Sequence, residues 1–576
     1  MTQNTEKQTH KALMTLVFAI GVFAFWRFGY PEALACAEEL QLFLFSGEYF
    51  AEHLAYPGGI ATYVGEFVTQ FFSILTLGTV LLTLLIVAVQ QLTWCAAGLR
   101  GGLYALSFVP AVALIVMMGD ESVLTGYVVA LVVGLAVCFG LRRLGERQWL
   151  RWAALGVVIP ALFYVAGVGA YTLAAFAIGE AVRRKRFAEG IGIALLMVVV
   201  VIVCYRLSTY PLERIALGIC DYRMSKLMAI FACLVGLWPM VVAAAKWQRG
   251  VAVSFGVFVG ICLLGAVGVR LSYDDFKYRI MSYDLCVRRH DWKGVLDLAK
   301  KSEAHSPLEL ASINFALAMR GELPERMFEY EQINSEGLIP LFGREVFTTM
   351  MTTDIFFELG MLNTSRRFAF EAQESIPNGL KSGRLTKRLA EVAIIDGHYG
   401  VAKRYLNILG KSFAYGKWAN EMEELIKDDA KVSAHPIYGK MRRRRIADDF
   451  FYSDREMDQM LGLLFNHDHS NRMALDYLLT CSLLTRDLAS FVRYIPLMGL
   501  LPDGGRGRIP RAYQEALCMA WAKGHKSFDG MPWPVDENIK RSFVEFAQTM
   551  SSKRPAPATS NERIKTSYWP FFVRGK

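Results

Sequence analysis

Carboxylates set against apolar chain are the residues of this sequence best placed to do chemistry. The stretch 29–72 carries YPEALACAEELQLFLFSGEYFAEHLAYPGGIATYVGEFVTQFF. Glu38, Glu39 and Gln41 form a polar wedge beside Leu40, Phe43 and Leu44, whose helical spacing predicts an amphipathic helix lying in an interface. Glu48 and Glu52 share one face of a second short helix, beside His53. Pro57-Gly58-Gly59 is a turn. Tyr63, Glu66 and Gln70 then fall at i, i+3 and i+7, on one face at the mouth of the following span. Carboxylates at an apolar–aqueous boundary can take a proton from a hydroxyl, or hold a divalent cation against a phosphate. On these grounds Glu39 and Glu66 are the candidate catalytic residues. The plainer alternative is that the acids only solvate an interfacial helix.

Cations supply the other candidates. Arg442, Arg443, Arg444 and Arg445 form a run, and Arg214 lies in a loop between apolar segments. Guanidinium groups in such a run suit phosphate or an anionic glycan, and equally suit a solvated helix face. His467-Asp468-His469 has metal-ligand residue types, but alternating positions on a turn rarely converge on one ion, so no metal site is expected. The ten cysteines are scattered, without a Cys-x-x-Cys pair. Nucleotide-binding, serine-hydrolase and zinc-protease signatures are missing. The sequence leaves the cofactor unknown.

The elements that must carry these residues divide near position 270. The chain has 576 residues, 53% of them apolar, and a mean hydropathy of +0.29, high for a soluble protein of this size. Apolar runs at 12–28, 66–90, 101–118, 122–141, 152–167, 169–182, 189–205, 224–245 and 251–269 predict about nine spans. With the N-terminus inside, 13 of the 19 Lys and Arg before residue 271 fall at inner ends. Arg151 and Arg183 both belong inside, which requires a hairpin near Gly167 and Gly169. Glu180 is the one acid well inside a span, near an inner end where it is expected to snorkel or to pair with Arg183 or Arg184. Such uncharged interiors argue against an ion-coupled transporter. The net charge of +10 is split evenly between the halves and is too dilute to suggest nucleic acid.

Residues 271–550 read as consecutive amphipathic helices. Turns fall at Arg289-His290-Asp291-Trp292, Gly321, Gly360, Gly397 and Thr485-Arg486-Asp487. The glycines recur at 39 and 37 residues, near the tetratricopeptide period, so a helical-repeat domain is expected. Residues 551–576 read as a disordered tail whose aromatic end, Tyr568, Trp569, Phe571 and Phe572, docks on the protein.

Two resemblances follow. In layout, with a first loop carrying Glu38, Glu39 and Glu66, the first half resembles multi-span glycosyltransferases that use lipid-linked sugars. It lacks their Asp-Asp, Glu-Asp or Asp-x-Glu signature. Through EELQLFLF, PGG, EFVTQFF, NRMALDYLL and YQEAL the chain is similar to an uncharacterised bacterial family of membrane proteins with repeat-containing tails. The fold class expected is all-α: a polytopic bundle over 1–270, with an amphipathic first external loop at 29–66, then an external helical-repeat domain over 271–550. The expected setting is a bacterial inner membrane, multi-pass, with the N-terminus cytoplasmic and the repeats periplasmic. The expected partners are membrane lipids and a protein bound by the repeats. The expected function is a scaffold or assembly factor; the alternative is sugar transfer from a polyprenyl-linked donor.

Overall fold

The computed structural model describes residues 2–98, 103–144, 148–218, 221, 223, 225–245, 251–341, 343, 345–446, 453–502, 504, 507–551 and 562–574. The described residues are all-helical, with no strand among them. Two compact units emerge. The first comprises Met1–Tyr278, Ile376–Gly383 and Asn407–Ala419; the second comprises Arg279–Ser375, Arg384–Leu406 and Asn420–Lys576.

The first unit opens with α1 (Thr2–Ala24), which loosens into one π turn (Phe25–Gly29). Three short helices follow: α2 (Pro31–Glu39), α3 (Gly47–Leu54) and α4 (Gly59–Thr69). Next come α5 (Leu75–Ala97), α6 (Val109–Met117) with a 3₁₀ lead-in at Tyr104–Phe108, and α7 (Thr125–Arg143). The unit continues through α8 (Gln148–Ala166), α9 (Val168–Arg183), α10 (Phe187–Leu207) and α11 (Leu212–Leu217), and then α12 (Leu227–Ala244) and α13 (Val251–Ser272).

Seven of these helices are long and apolar enough to cross a membrane, rather than the nine expected. The two that fall short are Tyr104–Met117 and α9, of 16 residues. At 1.5 Å per residue they reach only about 21 and 24 Å, against the ~30 Å of a hydrocarbon layer. The first of them is nonetheless anchored at both ends. Tyr104 bonds Thr15 (2.6 Å) and Gln91 (2.9 Å) at one end, while the carbonyls of Ile115 and Val116 accept from Tyr273 and Ser272 at the other. Gly167 and Gly169 do mark a hairpin, between α8 and α9. The expected span at 66–90 starts later, at Leu75, because residues 59–69 form the separate helix α4.

Glycine lets these helices touch. A Cβ on Gly236 would overlap the carbonyl of Thr172, and one on Gly65 would overlap the backbone of Gly126. Close backbone approach of this kind is how helices associate where apolar burial gives no preference between protein and lipid. Large apolar side chains are left outside. On α10, Ile191, Leu195, Val198 and Ile202 form one exposed stripe. Glu180 is buried at the α8–α9–α10 end, where its partner is Arg151 rather than Arg183 or Arg184; Arg151 also faces Glu189 at 3.5 Å.

The second unit takes in most of α14 (Asp275–Arg288), then α15 (Trp292–Lys301), α16 (Pro307–Met319), α17 (Leu323–Arg326), α18 (Val346–Leu359) and α19 (Leu362–Ser375). It continues with α20 (Gly383–Ile395), α21 (Tyr399–Leu409), α22 (Gly416–Leu425), α23 (Asp429–Ala434) and α24 (Tyr438–Arg444). The last elements are α25 (Met457–His467), α26 (Arg472–Leu484), α27 (Leu488–Tyr494), α28 (Arg511–Ala522), α29 (Glu537–Ser551), α30 (Glu562–Lys565) and α31 (Tyr568–Arg574).

The five turns read from sequence share one geometry. His290, Gly321, Gly360, Gly397 and Arg486 all have positive φ. Each donates its N–H to the carbonyl three residues back, and the next residue donates five back: Gly397 to Ile394 and His398 to Ala393, Arg486 to Leu483 and Asp487 to Ser482. This is the Schellman termination, which satisfies the last carbonyls of a helix and reverses the chain. At the C-terminal end, α31 is held to α28: Trp569 Nε1 donates to the carbonyl of Glu515 (2.9 Å), and the Tyr568 N–H donates to the Glu515 carboxylate (2.8 Å). Residues 552–561 of the expected tail lie outside the described residues.

An added Cβ at Gly397 meets nothing within 4 Å, so Gly397→Ala isolates the left-handed backbone cost, about 1–2 kcal/mol. At Gly360 the added atom meets Arg444 Cβ at 2.9 Å. Thermal melts of the full-length protein should therefore show a larger loss for Gly360→Ala than for Gly397→Ala. Equal losses would mean that the Arg444 contact gives way freely.

Candidate functional site

Glu66 is where the first loop converges. It lies on α4 and is 3% exposed. One of its oxygens, Oε2, accepts the hydroxyl hydrogen bond of Tyr49 and stands 3.0 Å from His53 Nε2. Tyr49 and His53 share one face of α3, which starts where Ser46 Oγ accepts from the Tyr49 N–H. His53 Nδ1 lies 2.8 Å from the Tyr49 carbonyl. Both ring nitrogens therefore face acceptors, the arrangement of an imidazolium. Burial works against that charge, but the bond from Glu66, its negative charge and the Tyr49 carbonyl outweigh it, and the His53 pKa is raised above its ordinary value. Burial, then the charge of Glu66, holds the Tyr49 phenol well above the usual range. Phe43 and Tyr63 pack around Tyr49.

Asp221 forms the opposite part of the cluster. It accepts from the Tyr127 hydroxyl of α7 at 2.5 Å. Burial among its neighbours raises its pKa to about 6; Tyr127 opposes this, Glu66 adds to it, and Arg214 and His53 oppose it. Asp221 nevertheless keeps part of its surface accessible. A carboxyl in this state exchanges protons near neutral pH. Beneath the cluster, Gly58, Gly167 and Gly218 meet, all with positive φ. A Cβ on Gly167 would overlap the Gly218 carbonyl.

The sequence candidates thus separate. Glu66 and Arg214 act on one carboxyl, Asp221. Glu39 is buried with Glu38 at the end of α2, which packs on α5 and on the turn 70–73. The Leu40–Leu44 spacing does not make a helix: residues 41–45 are non-helical, and two of their N–H groups find partners elsewhere. Leu42 N–H donates to the Lys381 carbonyl (2.8 Å), and Phe45 N–H to that of Lys411 (2.7 Å). Asp221 was not among the sequence candidates, since nothing in the local pattern marks its surroundings.

Two arginines of the run bond helix ends. Arg442 donates to the carbonyls of Ile395 (3.1 Å) and Ile394 (3.2 Å) at the end of α20, and to Tyr399 (2.7 Å). Arg444, buried, donates to the Glu358 carbonyl (2.8 Å) at the end of α18. Arg445 pairs with Asp396 at 3.0 Å. Arg443 is exposed. Cations at helix C-termini are stabilised by the helix dipole. Asp468 caps its own turn through Ser470, and Asn471 caps α26. Among the described residues no group of three His, Cys, Asp or Glu is placed to hold a metal ion.

Fold and site together define an all-helical protein with a membrane-compatible first unit. The chain belongs to DUF6057, a family of unknown function, whose profile matches residues 5–574. The match covers nearly the whole chain, as the expected family resemblance did, and says nothing of membranes or sugar transfer. No curated protein and no solved structure matches it.

Titration tests the cluster. Asp221 binds its proton more tightly folded than unfolded, so its contribution to stability is full below pH 3.8 and is lost as pH rises through about 6. The raised His53 contributes fully below 6.5 and loses its share as pH rises above that. Thermal stability should fall from pH 4 to 8. Glu32 and Glu515, both lifted to about 7 by burial, act in the same direction. The informative quantity is therefore the difference from wild type. Asp221→Asn should flatten the acid part of the profile and His53→Gln the neutral part; profiles parallel to wild type would dissolve the cluster.

Proposed function

We propose that this protein is a multi-pass membrane scaffold whose second unit presents a helical-repeat binding surface. The observation that carries the reading is the recurrence of one helix termination through that unit. Five helix pairs close with the same left-handed turn, and two of the arginines suited to a ligand instead bond helix ends. A stack of helix pairs buries one face on each neighbour and leaves an extended surface for a partner. The exposed apolar stripe of the first unit supports lipid as its surroundings, since contiguous apolar surface of that size in water would aggregate. Seven crossings, like nine, are odd in number. The proposed setting is a bacterial inner membrane with the N-terminus cytoplasmic and the second unit periplasmic.

A second reading, sugar transfer from a polyprenyl-linked donor, is favoured by the convergence of Glu66, Arg214 and Asp221. In that reading Asp221 takes the hydroxyl proton, because Tyr49 and His53 already occupy Glu66 Oε2. Glu66 then sets the field around Asp221.

A photo-crosslinking residue at Phe370, Val401 or Leu463, all exposed in the second unit, separates the two readings. The scaffold predicts a discrete adduct of one identified partner in native membranes, still formed in Glu66→Gln and Asp221→Asn. If no position gives an adduct and both substitutions abolish complementation of a gene deletion at unchanged expression, the scaffold reading falls and the enzyme reading replaces it.

A further inference from the structure

A groove opens in the second unit between the loop after α28 and one face of α29. Its volume is about 340 Å³, at the small end of ligand-sized cavities. Phe528 and Phe543, in edge-to-face contact at 5.7 Å, form its apolar floor, with Ala547 and Val544 beside them. Val544, 43% exposed, lies on the solvent-facing side of α29, whose other side carries the buried Ile539, Phe543 and Phe546. The charged groups on the lining are cationic or able to become so, Lys526 and His525, and no carboxylate lines it.

The loop is held in shape before anything binds. His525 stacks flat on Trp521, ring centroids 3.6 Å apart. Trp521 Nε1 donates to the Ser527 carbonyl at 2.9 Å, and the Ser527 hydroxyl donates to Asp529 at 2.5 Å. A preformed groove spares a ligand part of the cost of ordering it. An apolar floor with a cationic rim complements a segment that places an apolar side chain next to a carboxylate.

We propose that this groove is the docking site for an acidic, apolar peptide segment of a partner protein. The assignment rests on the scaffold reading and names the partner chemistry for one part of its surface. The apolar side chain seats on Phe528 and Phe543, and the neighbouring carboxylate meets Lys526. Because Lys526 is exposed, its charge chiefly sets selectivity between acidic and basic segments.

The test uses the full-length protein in phosphatidylcholine nanodiscs and two fluorescein-labelled probes, acetyl-Glu-Leu-Phe-Glu amide and acetyl-Lys-Leu-Phe-Lys amide, read by polarisation. The acidic probe should bind wild type at least tenfold more tightly than the basic one. Lys526→Glu should reverse that order, and Val544→Asp should weaken the acidic probe about tenfold. Equal binding of both probes, or an acidic probe indifferent to both substitutions, overturns the groove; empty nanodiscs reveal whether lipid took up the probe. Partner adducts from the rest of the second unit that persist in Lys526→Glu while the probe fails would sink the groove alone. Loss of every adduct in wild type would sink the scaffold itself.

Discussion

Backbone meets backbone in the first unit, and the rest of that unit depends on it. Gly58, Gly167 and Gly218 come from three separate connections and pack with no room for a side chain on Gly167. All three sit at positive φ, where a Cβ costs energy even in open space. The Gly58 N–H donates to the Tyr164 carbonyl at 2.8 Å, which ties the turn before α4 to the end of α8. That junction fixes where α4 starts, and so where Glu66 stands. It also fixes the chain three residues before Asp221. The carboxylates of the cluster are thus positioned by residues that have no side chain at all.

How much of this was legible depended on the range of the interaction involved. The Pro57-Gly58-Gly59 turn, the helix carrying Tyr63 and Glu66, and the five turns of the second unit are local, and residue type alone announced them. Residues 41–45 show the opposite case. Their apolar spacing suits a helix, but the carbonyls of Lys381 and Lys411 offer bonds that a helix could not use. Those partners lie more than 300 residues away, beyond any periodicity. The partners of Arg442 and Arg444 were out of reach for the same reason. Their run looked like a ligand site because the helix ends they cap are distant in sequence and near only in space.

Asp221 shows a third kind of loss. Its residue type and loop position were plain, but its chemistry comes from its surroundings. Burial lifts its pKa to about 6, and four groups from four elements, Tyr127, Glu66, Arg214 and His53, adjust it. Glu66 looked the stronger candidate from sequence, because an acid on a helix face beside an apolar run is conspicuous. Once folded, one oxygen of Glu66 takes two donors and one oxygen of Asp221 takes one, from Tyr127.

The same economy of commitment governs both units. A polar group bonded from several sides is expensive to disturb and therefore serves the frame. Glu66, Arg442, Arg444 and Glu515 are all of this kind. Function has to come from groups the frame leaves accessible. In the first unit Asp221 keeps such access, and in the second the exposed face of α29 does, with Lys526 at its edge. Binding a partner needs only such a face, whereas catalysis also needs a cavity beside the reactive groups. The groove beside α29 is lined by no carboxylate, while the carboxylates of the first unit stand on segments tied to a tightly packed glycine junction.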